Sequence, residues 1–249
     1  TSELVDSYEM ADGTDFDWTK HSAAPYQDRE PRFYASILYN GARWEGRLLE
    51  TYEGGADGIG KFTTSGTAGT TTTGYYFRKF IAESDFTWES GGSSHFATFI
   101  RYAEVLLNYA EALAEQDWGK NKETALAALN QVRDRVGLPK KDASTIDKGS
   151  KMATRIPHRM VELAGEGFRY WDIRRWRIGE EVLFGKQAHG CWITPLVTAD
   201  APEAGSYDYK QVSVDADINR CFFERYYSFS IPIEERSNNT LLGDNNPGW

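Results

Sequence analysis

The sequence predicts a mainly α-helical fold with irregular loops and a few short strands over residues 1–249. Three observations carry that expectation. Residues 99–136 hold two apolar stripes at helical spacing. Long stretches around them are rich in Gly, Ser, Thr and Asp and lack any apolar period. Between these lie brief aromatic and β-branched runs bounded by turn residues, the size of short strands.

The elements read in order as follows. Leu4 to Met10 is a short amphipathic stretch, followed by a polar segment with Asp, Thr, Trp and Pro. Ala35 to Tyr39 reads as a short strand closed by the turn signal Asn40-Gly41. Residues 41–98 are mostly irregular. Thr63 to Gly74 is too polar to offset its ordering entropy and is expected as a surface loop. Tyr75 to Ile81 reads as a strand, and Glu83 to His95 as a second polar loop holding Trp88.

Phe99, Tyr102, Leu106, Tyr109 and Leu113 then recur every three or four residues, with Ala103, Ala110 and Ala114 beside them. Ala125, Leu129, Val132 and Val136 form a second stripe, closed by Gly137 as the residue past the helix end and Pro139 as a stop. Two such helices resemble one tetratricopeptide-type hairpin. A single hairpin lacks stacking neighbours, so it should leave an apolar face uncovered. Residues 152–184 read as two further helices broken near Gly165-Glu166-Gly167, and 186–249 as loops and extended pieces packed on helices.

The chain has 249 residues, with 28 Lys+Arg against 37 Asp+Glu and a formal charge of −9. That balance argues against nucleic acid, which needs clustered cations. Arg169, Arg174, Arg175 and Arg177 come nearest to a patch, but Asp172 and apolar residues interrupt them. No apolar run approaches the ~18–20 residues that span a bilayer. The chain starts at Thr1 without a Met, so it reads as a fragment or processed product with its targeting signal upstream, and any membrane attachment would come from that part. The two cysteines, Cys191 and Cys221, are expected as unlinked thiols.

No residue set demands catalysis. His158, Glu162 and Glu166 share a helical face, but the two-His zinc motif is absent and the chain has only 4 His, so no metal or other cofactor is expected. Glycosidase carboxylates flank the substrate from opposite sides, which neighbours on one helix do badly. Asp172 lies three residues from Arg169 and Arg175, and Glu166 three from Arg169, a structural ion-pair chain with Phe168, Trp171 and Ile173 packing inward. No catalytic residue is assigned.

Binding chemistry is more legible. Among 8 Trp, Trp18, Trp44 and Trp88 sit in polar contexts, where an exposed indole suits the apolar face of a sugar ring. Residues 41–95 have the weakest periodicity and are the expected ligand loops. Trp44 and Trp88 are the candidate platforms, Arg43, Glu45, Arg47 and Glu89 the polar rim, and Tyr75 a possible second plane.

Four segments carry a family resemblance: Leu4 to Met10 with Asp28 to Tyr34, Phe99 to Ala112, Arg159 to Trp176, and Ile231 to Glu234 with the terminal Asn245-Asn246-Pro247-Gly248-Trp249. They resemble the C-terminal half of SusD/RagB-type nutrient-binding outer-membrane lipoproteins, including the family's last tetratricopeptide hairpin and its "ER-x-x-EL-x-x-EG-x-RYWDLRRW" helix. His158 departs from the pattern, which usually has Glu there. The resemblance implies a SusD-like fold whose N-terminal half is absent. It further implies a surface-exposed, lipid-anchored protein that binds glycans, or in some members peptides, without chemistry and delivers them to a SusC-type TonB-dependent transporter. It assigns no binding residues, because the family builds its site from variable loops.

Overall fold

The computed structural model describes residues 1–58, 71–83, 98–144, 146, 158–196, 207–214 and 220–249. Three short helices open the chain: α1 (Ser2–Asp6), α2 (Trp18–His21) and α3 (Pro31–Ser36). Pro31 suits the first turn of α3, where its missing N–H would be unbonded anyway. The strand expected at residues 35–39 is only β1 (Ile37–Leu38), because α3 extends through Ser36. β2 (Arg43–Trp44) and β3 (Arg47–Leu48) form a tight hairpin. Its turn residues Glu45 and Gly46 have φ of 48° and 79°, the left-handed pair that matches strand twist in a two-residue turn. β4 (Tyr76–Phe77) pairs antiparallel with β1 and is much shorter than the strand expected over 75–81.

Residues 71–74, read from the sequence as loop, lie flat on a later strand. The Cys191 amide donates to the Thr73 carbonyl at 2.8 Å. Gly74 has φ of 80°, and a Cβ there would meet the Cys191 carbonyl oxygen at 2.4 Å, so the residue has to be glycine for this approach.

α4 (Tyr102–Asp134) is nominally one helix with a break at Asp117, where φ is −166° and ψ 98°. Leu107 and Leu129 line the same small cavity, whereas 22 residues of straight helix would separate them by about 33 Å. The chain therefore folds back at Asp117 into the expected helical hairpin. Leu106, Leu107, Ala114, Trp118, Ala125, Leu126, Leu129 and Val132 fill its seam together with Leu163. The expected stripe splits, however. Leu106 is buried, while Phe99, Tyr102, Val105 and Tyr109 are exposed, so an apolar face of the hairpin is uncovered.

A helix whose described part covers 158–162 (α5) follows, then α6 (Phe168–Arg175) and α7 (Gly179–Leu183). Ile173 is buried as expected, but Trp171 is 55% exposed and stacks edge-on with Tyr170 and Phe229. The C-terminal part contains more regular structure than the sequence suggested: a seven-residue antiparallel pair, β5 (His189–Pro195) and β6 (Tyr207–Ser213), and α8 (Ile233–Asn238). β5 supplies Cys191 and Ile193 to a second core with Val5, Tyr8, Tyr26, Phe33, Ile37, Tyr75 and Val161. The Arg29 guanidinium clamps this core by donating to the carbonyls of Val5, Tyr8 and Pro25.

Both cysteines are free, Cys191 buried and Cys221 exposed. Burial pushes the Cys191 thiol up to about 11. An aromatic disulfide reagent at neutral pH should therefore consume one thiol promptly and the second only in denaturant. Two fast thiols, or none in denaturant without reductant, would contradict this arrangement.

Candidate functional site

The β2–β3 hairpin presents Trp44. Its indole packs partly on Leu38, Ala42 and Leu49, leaving it half-buried, and the Arg78 guanidinium lies 5.8 Å from its ring centroid. Arg78 donates to the Glu83 carboxylate at 3.1 Å, and the other oxygen of Glu83 accepts the Glu45 amide at 3.1 Å. Glu83 thus pins the hairpin tip to the cation that backs the indole. Arg43 and Glu45 are exposed beside it, and the Glu45 carboxylate bonds nothing among the described residues.

Two expected members are placed differently. Arg47 directs its fork at Asp57 with bonds of 2.6 and 2.7 Å. Asp57 also accepts the Glu50 amide, so Arg47 ties down the following loop rather than forming an open rim. Tyr75 is only 7% exposed and belongs to the core with Tyr26 and Cys191, so it offers no second plane. Its alternation with Tyr76 decides this, since adjacent strand residues face opposite sides. Trp88 and Glu89 lie outside the described residues. The structure therefore brings together Arg43, Trp44 and Glu45, with Arg47 adjacent in the same hairpin.

The segment carrying Arg78 continues into a cleft of about 650 Å³, within the usual range for small-ligand sites. Arg32 and Ser36 of α3, Lys79 and Phe80, Arg101 at the start of α4, Arg135 at its end, and Glu162 and Glu166 line it. Glu162 is 3% exposed and accepts from Arg32 at 3.2 Å, Arg101 at 2.6 Å and Arg135 at 2.9 Å. Glu166 accepts from Lys79 at 2.7 Å and Arg101 at 2.8 Å. Arg101 and Arg135 flank the two ends of α4, so Glu162 is also the lock that closes the helical hairpin. The pairing of Glu166 with Arg169 expected from spacing does not form. Asp172 is held by Arg175 at 2.8 Å, as expected, and by Arg159 at 3.0 Å, while its expected pairing with Arg169 does not form among the described residues.

These carboxyls are held ionised, which leaves them no proton to give as general acids. Burial pushes both upward, but the Arg101 hydrogen bond and the charges of Arg135 and Arg32 outweigh it at Glu162, and the Arg101 and Lys79 hydrogen bonds do so at Glu166. Both sit below the ordinary carboxylate range, whereas a general acid of glycoside hydrolysis needs a raised one. Burial does push Asp6 up to about 6, but Asp6 does not line the cleft and instead accepts from Trp18 and Gln211. Among the described residues no His, Cys, Asp and Glu group has the arrangement of a metal site.

Sequence reasoning singled out Glu162 and Glu166 by their spacing but missed Phe80, Arg101 and Arg135 as cleft residues. Their common destination is long-range, and no local period signals it.

The family model described as the SusD family matches residues 1–249. SusD-like protein P2 of Formosa agariphila is 30% identical over 156 residues, 60% of this chain and 25% of that relative. SusD-like protein P38 of the same organism is 36% identical over 90 residues, 33% of this chain and 17% of that one. A solved SusD-like protein from Bacteroides fragilis superposes with TM-score 0.72 at 29% identity, covering 100% of this chain and 46% of that chain. A second from that organism, described as a SusD-like carbohydrate-binding protein, gives TM-score 0.69 at 28% identity over 96% of this chain and 47% of that one. The chain thus spans about half the length of these solved relatives.

Proposed function

This chain belongs to the SusD family, and on that premise we propose that it binds a glycan at the cell surface without transforming it. The Trp44 hairpin is the observation that carries the reading. A half-buried indole backed by Arg78 and flanked by exposed Arg43 and Glu45 offers an apolar plane with hydroxyl-binding groups at its edge. The solved relative described as carbohydrate-binding supports the same ligand class. Glu162 and Glu166, held ionised by their Arg and Lys partners, are not poised to donate the proton that glycoside hydrolysis needs, which favours retention over hydrolysis.

In this reading the glycan is handed to a SusC-type TonB-dependent transporter of the outer membrane. No described helix is long and apolar enough to cross a membrane. Attachment to the outer membrane through a lipid anchor is part of the same proposal. Trp88 and Glu89 remain proposed members of the site. A peptide ligand, as in RagB-like members, is the competing binder, and a hydrolase the competing enzyme.

Trp44→Ala should weaken binding of the cognate glycan by about 1–3 kcal/mol, by analogy with base–aromatic stacking. Calorimetry against a panel of neutral and acidic oligosaccharides measures it, with melting temperature as a control on folding. Undiminished affinity in a folded Trp44→Ala protein would move the site elsewhere.

A further inference from the structure

The cleft beside the Trp44 hairpin has features that the ion-pair lattice alone does not require. Phe80 is a non-glycine residue with φ of 73°, a strained backbone position for a bulky side chain. Its ring is nevertheless 52% exposed at the cleft rather than buried in compensation. Three devices hold it there. The preceding Lys79 ammonium is anchored by the carbonyls of Glu162 and Ala164 and by the Glu166 carboxylate. The Lys79 ammonium lies 5.3 Å from the Phe80 centroid. Gly165 leaves a notch for the rings: a Cβ there would meet Phe77 at 2.7 Å and Phe80 at 3.0 Å.

The charge is also incomplete. Arg32, Lys79, Arg101 and Arg135 face Glu30, Glu162 and Glu166, four cations against three carboxylates among the described residues. The surplus sits on Arg135. Among the described residues it engages Glu162 through Nη2 alone and its Nε–H and Nη1–H groups have no acceptor, and its side chain is 57% exposed. One side of the cleft therefore offers an aromatic plane and another a guanidinium with free N–H donors, in a space of about 650 Å³.

We propose that this cleft is a subsite for an acidic sugar, whose ring lies on Phe80 and whose carboxylate or sulfate accepts from a free N–H of Arg135. The assignment rests on the glycan-binding reading and narrows it to anionic glycans. A monoanionic group offsets the excess cation counted among the described residues, and an oxyanion takes a charge-assisted hydrogen bond from a guanidinium N–H.

The test is calorimetry of the whole chain with three probes. They are a galacturonate tetrasaccharide, the same sugar with its carboxyls reduced to alcohols, and a sulfated galactose tetrasaccharide. One or both anionic probes should bind about tenfold more tightly than the neutral one, the size of a charge-assisted hydrogen bond. Arg135→Gln should bring the anionic-to-neutral ratio to about one, and the preference should fall with added salt. Phe80→Ala should weaken all the probes that bind, leaving the ratio in place. Equal binding of anionic and neutral probes, or a preference that survives Arg135→Gln in a folded protein, overturns the subsite while leaving glycan binding intact. If none of the three binds, the acidic-sugar assignment falls, and the broader reading is then judged on the oligosaccharide panel and Trp44→Ala. An acidic peptide that binds with the same Arg135 dependence, when no sugar does, overturns both.

Discussion

Glu162→Ala is expected to destabilise the protein by about 3–5 kcal/mol, the cost of leaving buried charges without their partner. Arg32, Arg101 and Arg135 converge on this one carboxylate. Arg32 is itself 6% exposed and keeps only Glu30 when Glu162 is lost. Arg101 keeps Glu166, and Arg135, being half in solvent, loses least. The penalty therefore falls on Arg32 and on the closure of the α4 hairpin, whose two ends Glu162 joins. Urea unfolding measures it. Glu162→Gln keeps the shape and some hydrogen bonds, so it provides a value if the alanine variant does not fold. A change below about 1 kcal/mol in both variants would mean that the lattice contributes little beyond packing. Adding Arg32→Met to Glu162→Gln should recover part of the loss, because it removes the stranded cation.

His158 predicts a loss of stability in acid. It is 4% exposed, and burial, reinforced by the charges of Arg133, Arg32 and Lys141 against that of Glu9, pulls its ring down from 6.5 to about 3. The unfolded chain protonates this imidazole near 6.5 and the folded one does not. Stability from His158 is thus fully present above about pH 6.5 and is lost as pH falls toward 3, by at most ~4–5 kcal/mol. Asp6 works in the opposite sense over an overlapping range. Its folded value of about 6 lies above its ordinary 3.8, so its contribution is present below 3.8 and lost as pH rises through 6. Because the two oppose, total stability against pH does not isolate His158, but His158→Gln does. The difference between parent and variant should narrow steadily from pH 7 to pH 4 in urea unfolding. A constant difference across that range would mean the imidazole titrates normally in the fold.

The helical hairpin was legible because its signal is local. Leu106, Leu129 and Val132 recur at helical spacing, and Gly137 and Pro139 mark the end. The glycine-glutamate-glycine break between α5 and α6 was legible for the same reason. Other features depend on what arrives from elsewhere. Tyr75 and Tyr76 look equivalent in sequence, yet pairing of Leu38 with Tyr76 sends Tyr75 into the core. Arg47 reads as a free rim cation until Asp57 folds back on it. Spacing alone assigned Glu166 to Arg169, while Lys79 and Arg101, remote in sequence, took it. At the candidate site, Arg43, Trp44 and Glu45 stay together because a tight hairpin carries all three, a hairpin that the reading of residues 41–98 as irregular did not anticipate.

The central claim, binding without chemistry, is tested most directly by incubating the protein with end-labelled oligosaccharides and separating bound from free. Retention of at least one glycan, recovered at its original length after prolonged incubation and lost with Trp44→Ala, is the predicted result. Shortened products that depend on the protein, or no retention of any glycan by the parent, would contradict it.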